Sequence, residues 1–336
     1  MRLLVSVCAI LGLAVSVGAR EPEPVADAVI LADDLPRLLS DYRFFRDDAG
    51  WQPNGGVVPY RLNMPLFSDY AEKYRFIYVP PGQQAKADGD GLLDFPVGSA
   101  LIKSFGYQLD GKPRLLETRV LLHRADGWLA LPYVWNEEQT EARLKVAGAR
   151  IPVRFTDPAG RERSTSYAVP NKNQCKECHA LSGAVTPIGP KARNLTRDGQ
   201  LPAFARLGLI DREPVIDYRV PLWGEETASL NDRARGYLDV NCAHCHNVDG
   251  SASNSGLFLT YEEAMPVRIG INKRPVAAGR GSGSHDFDIA PGDADGSIMI
   301  YRMKSLDPGI SMPEVGRSLV HDEGVELLSK WIAEMD

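Results

Sequence analysis

Two copies of one short pattern give this chain its clearest chemistry. The segments Cys175–His179 and Cys242–His246 each place two cysteines three positions apart, with a histidine directly after the second. This spacing is the attachment signature of c-type haem. Each thiol forms a thioether with a porphyrin vinyl group, and the histidine that follows ligates the iron. The pattern therefore predicts two covalently bound c-type haems, attached through Cys175, Cys178, Cys242 and Cys245 and ligated by His179 and His246.

The cysteine count bears on the alternatives to haem. The chain has five cysteines, and the one outside the two motifs, Cys8, lies in the apolar N-terminal run. Two CxxC pairs could instead build a four-cysteine zinc site, or a pair could act as a redox dithiol. The histidine after each pair and the lack of a spare cysteine for disulfides favour haem.

The N-terminus predicts export from the cytoplasm. Met1–Arg2 is a short positive region, Leu3–Val17 is an apolar run, and Val17–Ala19 supplies small residues for cleavage. We therefore expect residues 1–19 to be a signal peptide and the mature protein to be periplasmic, where c-type haem is attached. An uncleaved anchor is the alternative, and no second stretch approaches membrane-spanning length.

The charge balance narrows the class of partner. The formal net charge of the chain is −6, which argues against a nucleic-acid partner because phosphate binding needs a basic surface. We expect redox partner proteins instead, and no membrane span after signal cleavage. A docking patch for such a partner can carry either sign of charge.

Residues 35–158 have the texture of a β-rich domain. Apolar or alternating runs occupy residues 74–79, 99–107, 116–123 and 128–135, and Gly-containing turn signals separate them. Several strands at this spacing predict a sandwich or barrel-like fold.

The rest of the chain divides around the two motifs. Residues 159–227 form a first haem-binding segment that is rich in loop residues. In residues 228–336, helical periodicity is present at 228–240, 295–304 and 323–335. We therefore expect an α+β, multidomain chain: a β-rich N-terminal domain followed by a mostly α, cytochrome c-type C-terminal region.

Residues 228–336 resemble a cytochrome c domain that carries the second haem. The resemblance lies in a helix that leads into Cys242–His246, a later Met-Pro loop and a closing helix that contains Trp331. Such domains ligate the iron with a methionine from that loop, which implies Met312 as the sixth ligand. A thioether ligand stabilises ferrous iron and raises the reduction potential. The alternative is that Met312 only packs.

Met299 and Met303 are four residues apart on a predicted helix. We expect them to be core residues rather than ligands.

The first haem has no sixth ligand nearby in the sequence. Between His179 and Met265 the only histidines belong to the second motif, and there is no methionine. Either the position is open or a ligand comes from elsewhere in the chain. The importable candidates are His123, Met64, His285, Met265 and His321, of which His123 and Met64 are the foremost.

The predicted β domain also contains charged and aromatic clusters. For Glu117–Arg119 and Tyr133–Trp135 we expect cross-strand ion pairs and core aromatics. An arginine in this domain could instead pair with a haem propionate.

The arrangement resembles a family of proteobacterial diheme c-type cytochromes. Members are similar in having a β-rich N-terminal region, a mid-chain CxxCH and a C-terminal cytochrome c domain. The resemblance implies electron carriage in the periplasm, without a settled partner or substrate. The matching stretches are Pro65–Ala71, Asp94–Gly98, Glu117–Arg119, Tyr133–Asn136, Asn173–His179 and Met312–Pro313.

Two functions are compatible with these residues. In the first, two six-coordinate haems carry electrons between redox partners. In the second, the chain is a peroxidase-like or oxidase-like enzyme whose first haem is an open reaction centre and whose second haem is an electron relay. Whether the chain is an enzyme, and which residues would be catalytic, stays open. A third interpretation makes the β domain a docking module for a separate redox enzyme.

Overall fold

The structure is a computed structural model that describes residues 23–276 and 278–336. The predicted signal peptide, residues 1–19, lies outside the described residues. Within them, no helix combines the length and the apolar character that a membrane crossing requires.

A six-stranded antiparallel sheet organises the first half of the chain. Its strand order follows the sequence, β1-β2-β3-β4-β5-β6, so neighbouring strands are joined as a meander. The strands are β1 (Val57–Tyr60), β2 (Glu72–Tyr78), β3 (Ala100–Leu109), β4 (Lys112–Arg124), β5 (Gly127–Trp135) and β6 (Ala142–Leu144).

Both faces of this sheet are buried because apolar side chains occupy successive positions in its central strands. Successive side chains of a strand point to opposite faces. Ile102, Leu122 and Leu131 therefore pack against the N-terminal segment, which contributes residues such as Tyr42 and Phe44. The opposite face, which includes Leu101 and Leu121, packs against the chain around the first haem motif, including Cys175 and Phe204. The sheet is thus the platform on which the first motif lies.

A separate hairpin extends the β region. It consists of β7 (Ala149–Thr156) and β8 (Glu162–Val169). Its Phe155 and Tyr167 pack against Phe105 and Tyr107 of β3. Only two residues separate the end of the hairpin from the helix that carries the first motif.

Short helices and one small ribbon complete the fold. The two strands of the ribbon are β9 (Ala180–Leu181) and β10 (Ala184–Val185). The α-helices are α1 (Asp27–Leu31), α2 (Lys172–His179), α3 (Gln200–Arg206), α4 (Leu230–Asn241), α5 (Pro266–Ile269), α6 (Ile298–Lys304) and α7 (Asp322–Ala333). The 3₁₀ turns are Leu39–Tyr42, Ala192–Asn194, Arg197–Gly199, Ser253–Ser255 and Gly279–Ser282.

The predicted fold class is wrong in its second half. The chain is β-rich, and the expected mostly α, cytochrome c-type C-terminal region is not found. In the described part of residues 228–336, four short helices are joined by long stretches without regular structure. Helices α4 and α7 pack against each other around a core that includes Leu238, Leu328 and Trp331. The helical periodicity was real, but the Gly- and Ser-rich chain between the helices contains few further helical turns.

Close packing at one glycine brings these two helices together. Gly324 lies in the first turn of α7, and a Cβ at this position would overlap the hydroxyl of Tyr237 on α4. A glycine is therefore required where the start of α7 meets α4, and this contact places the end of α4 near the C-terminal core.

Candidate functional site

The first motif lies on helix α2. Asn171 caps the helix, since its side chain accepts hydrogen bonds from the amides of Asn173 (3.0 Å) and Gln174 (2.9 Å). The Gln174 side chain in turn accepts from the Asn171 amide at 3.0 Å, which completes a capping box. The cap fixes the register of the helix, so Cys175 is buried against the sheet core. The side chain of Cys178 follows three residues later, close to one helical turn away.

The second motif begins where helix α4 ends. Ser229 caps the start of the helix and accepts from the Asp232 amide at 3.0 Å. At the other end, the Cys242 amide donates to the Leu238 carbonyl at 2.9 Å, and the His246 amide donates to the Cys242 carbonyl at 3.0 Å. The motif is therefore a tight turn anchored on a packed helix.

Both motifs open into one cavity of about 850 Å³. Its walls come from the sheet, from both motifs and from the loop after α6. Its volume lies within the range of about 300–1,000 Å³ that is usual for ligand and cofactor sites. The lining includes Cys175, Cys178, His179, Cys242, Cys245, His246 and Met312. The structure thus brings together all seven site residues that the sequence predicts.

The two motifs meet at their second cysteines. The thiols of Cys178 and Cys245 and a ring nitrogen of His244 all lie within 4.8 Å of one another. The Cys178 thiol, followed by His244 and Ser251, stabilises the Cys245 thiolate and lowers the pKa of Cys245. By contrast, burial raises the pKa of Cys242 to about 12. Sequence reasoning missed this group, because the spacing within each motif says nothing about how two distant motifs face each other.

The histidine of the first motif is held in the tautomer that a metal ligand would need. The Nδ1–H group of His179 donates to the Thr186 carbonyl at 2.9 Å, which leaves the lone pair on Nε2. Burial lowers the pKa of His179 to about 4, so the imidazole is neutral at pH 7. A hydrogen bond from the second ring nitrogen to a backbone carbonyl is the usual support of a metal-ligating histidine.

The histidine of the second motif is held through the same ring nitrogen, but by a serine hydroxyl. The Ser255 hydroxyl donates to the Ala252 carbonyl at 2.7 Å, so its oxygen accepts from His246 Nδ1 at 3.3 Å. Burial lowers the pKa of His246 as well. These donor sets, two thiols and one neutral imidazole per motif, fit covalently attached haem.

Three methionines line the cavity. The predicted ligand Met312 is one of them, and its amide donates to the Arg302 carbonyl at the end of α6 at 3.1 Å. Met299 and Met303, for which we expected core roles, line the same cavity while also packing against the C-terminal core. All three sulfurs are therefore candidates, and Met312 differs in lying on a loop rather than on α6.

Most of the residues that we considered as a sixth ligand for the first predicted haem do not line the cavity. His123 donates from Nδ1 to the Phe95 carbonyl at 2.7 Å and stacks on Trp128 with 4.5 Å between ring centroids. Met64 is buried in the C-terminal core beside Gly236. Of the five candidates, only His321 is part of the lining among the described residues.

His321 lies in an aromatic cage at the edge of the cavity. It stacks on Phe67 at 4.2 Å between ring centroids, and its Nδ1 is hydrogen-bonded to the Tyr237 hydroxyl at 3.0 Å. Its Nε2 lies 3.7 Å from a carboxylate oxygen of Glu323. Burial lowers the pKa of His321 to about 4.

The sheet contributes a row of cations to the cavity wall. Arg75, Lys103 and Arg119 occupy paired positions on β2, β3 and β4, and all three line the cavity. Sequence reasoning singled out Arg119 but missed its two partners. In the sequence, each of two predicted strands has a charged residue at a position that faces inward. Only the strand register shows that these residues lie next to Arg119.

Comparison of the chain with protein-family models, with curated proteins and with solved structures finds no match.

Proposed function

We propose that this chain is a periplasmic diheme c-type cytochrome that carries electrons between redox partners. In this proposal Cys175 and Cys178 hold one haem and Cys242 and Cys245 hold the other. His179 and His246 ligate the irons, and Met312 is the sixth ligand of the second haem. When bound, the haems supply one-electron redox chemistry, and the protein sets their separation, ligation and exposure to water.

One observation carries the proposal: the two motifs open into one cavity with the Cys178 and Cys245 sulfurs within 4.8 Å of each other. Each of these sulfurs would carry the edge of a different porphyrin. Two haems attached there would be neighbours, and proximity is the first requirement for electron exchange between them.

The surroundings of the motifs suit electron transfer. Both imidazoles are half-buried, neutral and hydrogen-bonded through Nδ1, so they would not need to reorient or lose a proton when the redox state changes. The cavity lies against the packed sheet and the C-terminal core, so little water would have to reorganise. The proposed periplasmic location rests on the N-terminal sequence, and the redox partners are proteins not yet identified.

A haem enzyme is the second candidate, and one observation favours it. The two foremost sixth ligands for the first haem, His123 and Met64, do not line the cavity. If no other side chain ligates that iron, the first haem has an open position. In that case the first haem would be a peroxidase-like or oxidase-like reaction centre and the second would relay electrons.

A titration of the purified, haem-loaded protein with cyanide separates the two candidates. An electron carrier has two low-spin haems whose spectra do not respond to cyanide. A high-spin component in the resting ferric spectrum, together with cyanide binding at one haem only, would contradict the electron-carrier proposal and support the haem enzyme.

A further inference from the structure

The strand register builds a continuous row of positive charge across the sheet. Arg75 on β2 is paired with Lys103 on β3, and Lys103 is paired with Arg119 on β4. Residues that face each other in neighbouring strands point to the same side of a sheet. The three side chains are therefore direct neighbours, and all of them line the cavity. We call these residues the cationic row.

The protein itself neutralises only part of this row. Arg119 forms two hydrogen bonds with the buried carboxylate of Glu117, at 2.7 and 2.9 Å. For Arg75 and Lys103, no ion pair with a carboxylate is found within residues 23–276 and 278–336. The Nη2 group of Arg75 is buried and has no hydrogen-bond partner.

The surroundings of Lys103 add to the excess of positive charge in the cationic row. Its ammonium lies 4.8 Å from the centroid of the Phe105 ring, and a further cation, Lys73, lies one row away on the same face. Burial, together with Arg75, Lys73 and Arg119, moves the pKa of Lys103 well below its usual value. Like charges in neighbouring strands repel, and an unpaired buried charge is strongly unfavourable. An anion bound in the cavity would therefore stabilise the folded protein by offsetting this positive charge.

The row also lies beside the first haem motif. Lys103 and Arg119 act electrostatically on His179, and Arg119 acts on Cys175. Two guanidinium groups and an ammonium in line suit carboxylates, because a guanidinium binds a carboxylate through two parallel hydrogen bonds.

We propose that the cationic row is a carboxylate-binding site that holds the propionate side chains of the haem attached at Cys175 and Cys178. This inference rests on the proposed function. The same chemistry would also suit a diffusible carboxylate that enters the cavity, and the experiment below distinguishes the two sources.

The test uses the full-length, haem-loaded protein and three variants. Lys103→Gln removes one charge of the row, Lys103→Arg retains it, and Lys112→Gln removes an exposed charge from the outer end of β4 as the matched control. The readouts are the number of covalent haems, from the pyridine haemochrome spectrum, and the two midpoint potentials, from a spectroelectrochemical titration.

A cation beside a haem favours the reduced form, so its removal lowers the potential. We expect Lys103→Gln to keep two haems. The equilibrium constant for reduction of one haem should fall about tenfold, which lowers its midpoint potential by about 59 mV for one electron. Lys103→Arg should restore the potential, and Lys112→Gln should leave it unchanged. Two haems with unchanged potentials in Lys103→Gln would overturn the propionate assignment alone. A wild-type chain without covalent haem would overturn both this assignment and the proposed function.

The second arm adds succinate to the wild-type protein at constant ionic strength. Since the propionates would already occupy the row, we expect no saturable change in either potential. A saturable shift that Lys103→Gln abolishes would assign the row to a diffusible carboxylate and overturn the propionate assignment.

Discussion

The thiol of Cys178 lies within 4.8 Å of the thiol of Cys245, although the two residues belong to different motifs and different parts of the fold. Cys178 is positioned by a capped helix that packs on the β-sheet, and Cys245 by a turn at the end of α4. Folding, and not sequence proximity, therefore joins the two motifs into one site. Whatever this site binds is held between the β-sheet and the C-terminal core.

The first prediction concerns Met312. In the proposed function Met312 is the sixth ligand of the second haem, so its replacement with histidine would exchange a thioether for an imidazole, which stabilises ferric iron. We expect Met312→His to lower the midpoint potential of one haem by on the order of 0.1 V, because axial ligation is a main determinant of haem potential. A redox titration measures the effect, with Met265→Leu as a control at an exposed methionine. If Met312→His leaves both potentials unchanged while Met303→Leu shifts one, the ligand is on α6 instead.

The second prediction concerns the buried carboxylate of Glu117. It accepts hydrogen bonds from Arg119 and, at 2.9 Å, from the hydroxyl of Tyr167 on the β7–β8 hairpin. Glu117→Ala leaves the half-buried Arg119 and the buried Tyr167 hydroxyl without their common acceptor, so we expect the free energy of unfolding to fall by about 3 kcal/mol. Denaturant unfolding measures this change. Glu326→Ala, at an exposed site on α7, should cost less than about 0.5 kcal/mol, and equal effects of the two substitutions would refute the assigned role.

The third prediction concerns pH. Burial lowers the pKa of His321 to about 4 from an ordinary value of 6.5. Between these two pH values the unfolded chain binds more protons than the folded chain, so protonation favours unfolding. The stabilisation from a neutral His321 is complete above about pH 6.5 and is lost as the pH falls through about 4.

The shift in the pKa of His321 sets the size of this loss, which is up to about 3 kcal/mol in the free energy of unfolding for a largely buried group. Unfolding experiments between pH 7 and pH 4 measure it. His321→Gln keeps a hydrogen-bonding side chain but cannot titrate, and the variant should show a smaller pH slope in that window. Identical slopes for the wild type and the variant would show that His321 does not contribute.

The fourth prediction concerns a contact between the sheet region and the C-terminal loop. The buried carboxylate of Asp69 accepts hydrogen bonds from the amides of Ser318 (2.7 Å) and Leu319 (2.9 Å). Hydrogen bonds to a charged group contribute about 1.5–3 kcal/mol each. Asp69→Ala should therefore destabilise the protein and accelerate hydrogen exchange at these two amides. Asp295→Ala, at an exposed ion pair, serves as the control. Unchanged exchange at both amides would contradict the contact.

The alternation of side chains in the sequence predicted the positions of the strands well, but it did not predict the segments that connect and pair with them. The runs at residues 99–107 and 128–135 correspond to β3 and β5, because side-chain alternation is a property of the strand itself. In contrast, residues 136–142 form a turn in which Asn136 accepts from the Thr140 amide, and Ala142 then pairs with Trp135 at the edge of the sheet. The alternation of side chains within one strand does not predict which neighbour pairs with it at the sheet edge.

In the candidate site, too, local features could be predicted from the sequence and contacts between distant segments could not. The spacing within each motif was enough to predict the attachment cysteines and their histidines, since that chemistry is local. The encounter of Cys178 with Cys245 and the alignment of Arg75 with Lys103 depend on strand register and packing between distant segments. A single sequence carries little information about such contacts, so these features appeared only in the structure.

The haem content of the exported, full-length protein tests the central proposal most directly. We predict two haems per chain that stay bound after denaturation, as measured by the pyridine haemochrome spectrum and intact mass. A Cys175→Ala/Cys178→Ala variant and a Cys242→Ala/Cys245→Ala variant should each retain one haem. A wild-type chain that carries no covalent haem but binds one zinc ion, lost on replacing Cys178, His244 or Cys245, would contradict the proposal and assign the site to a metal ion.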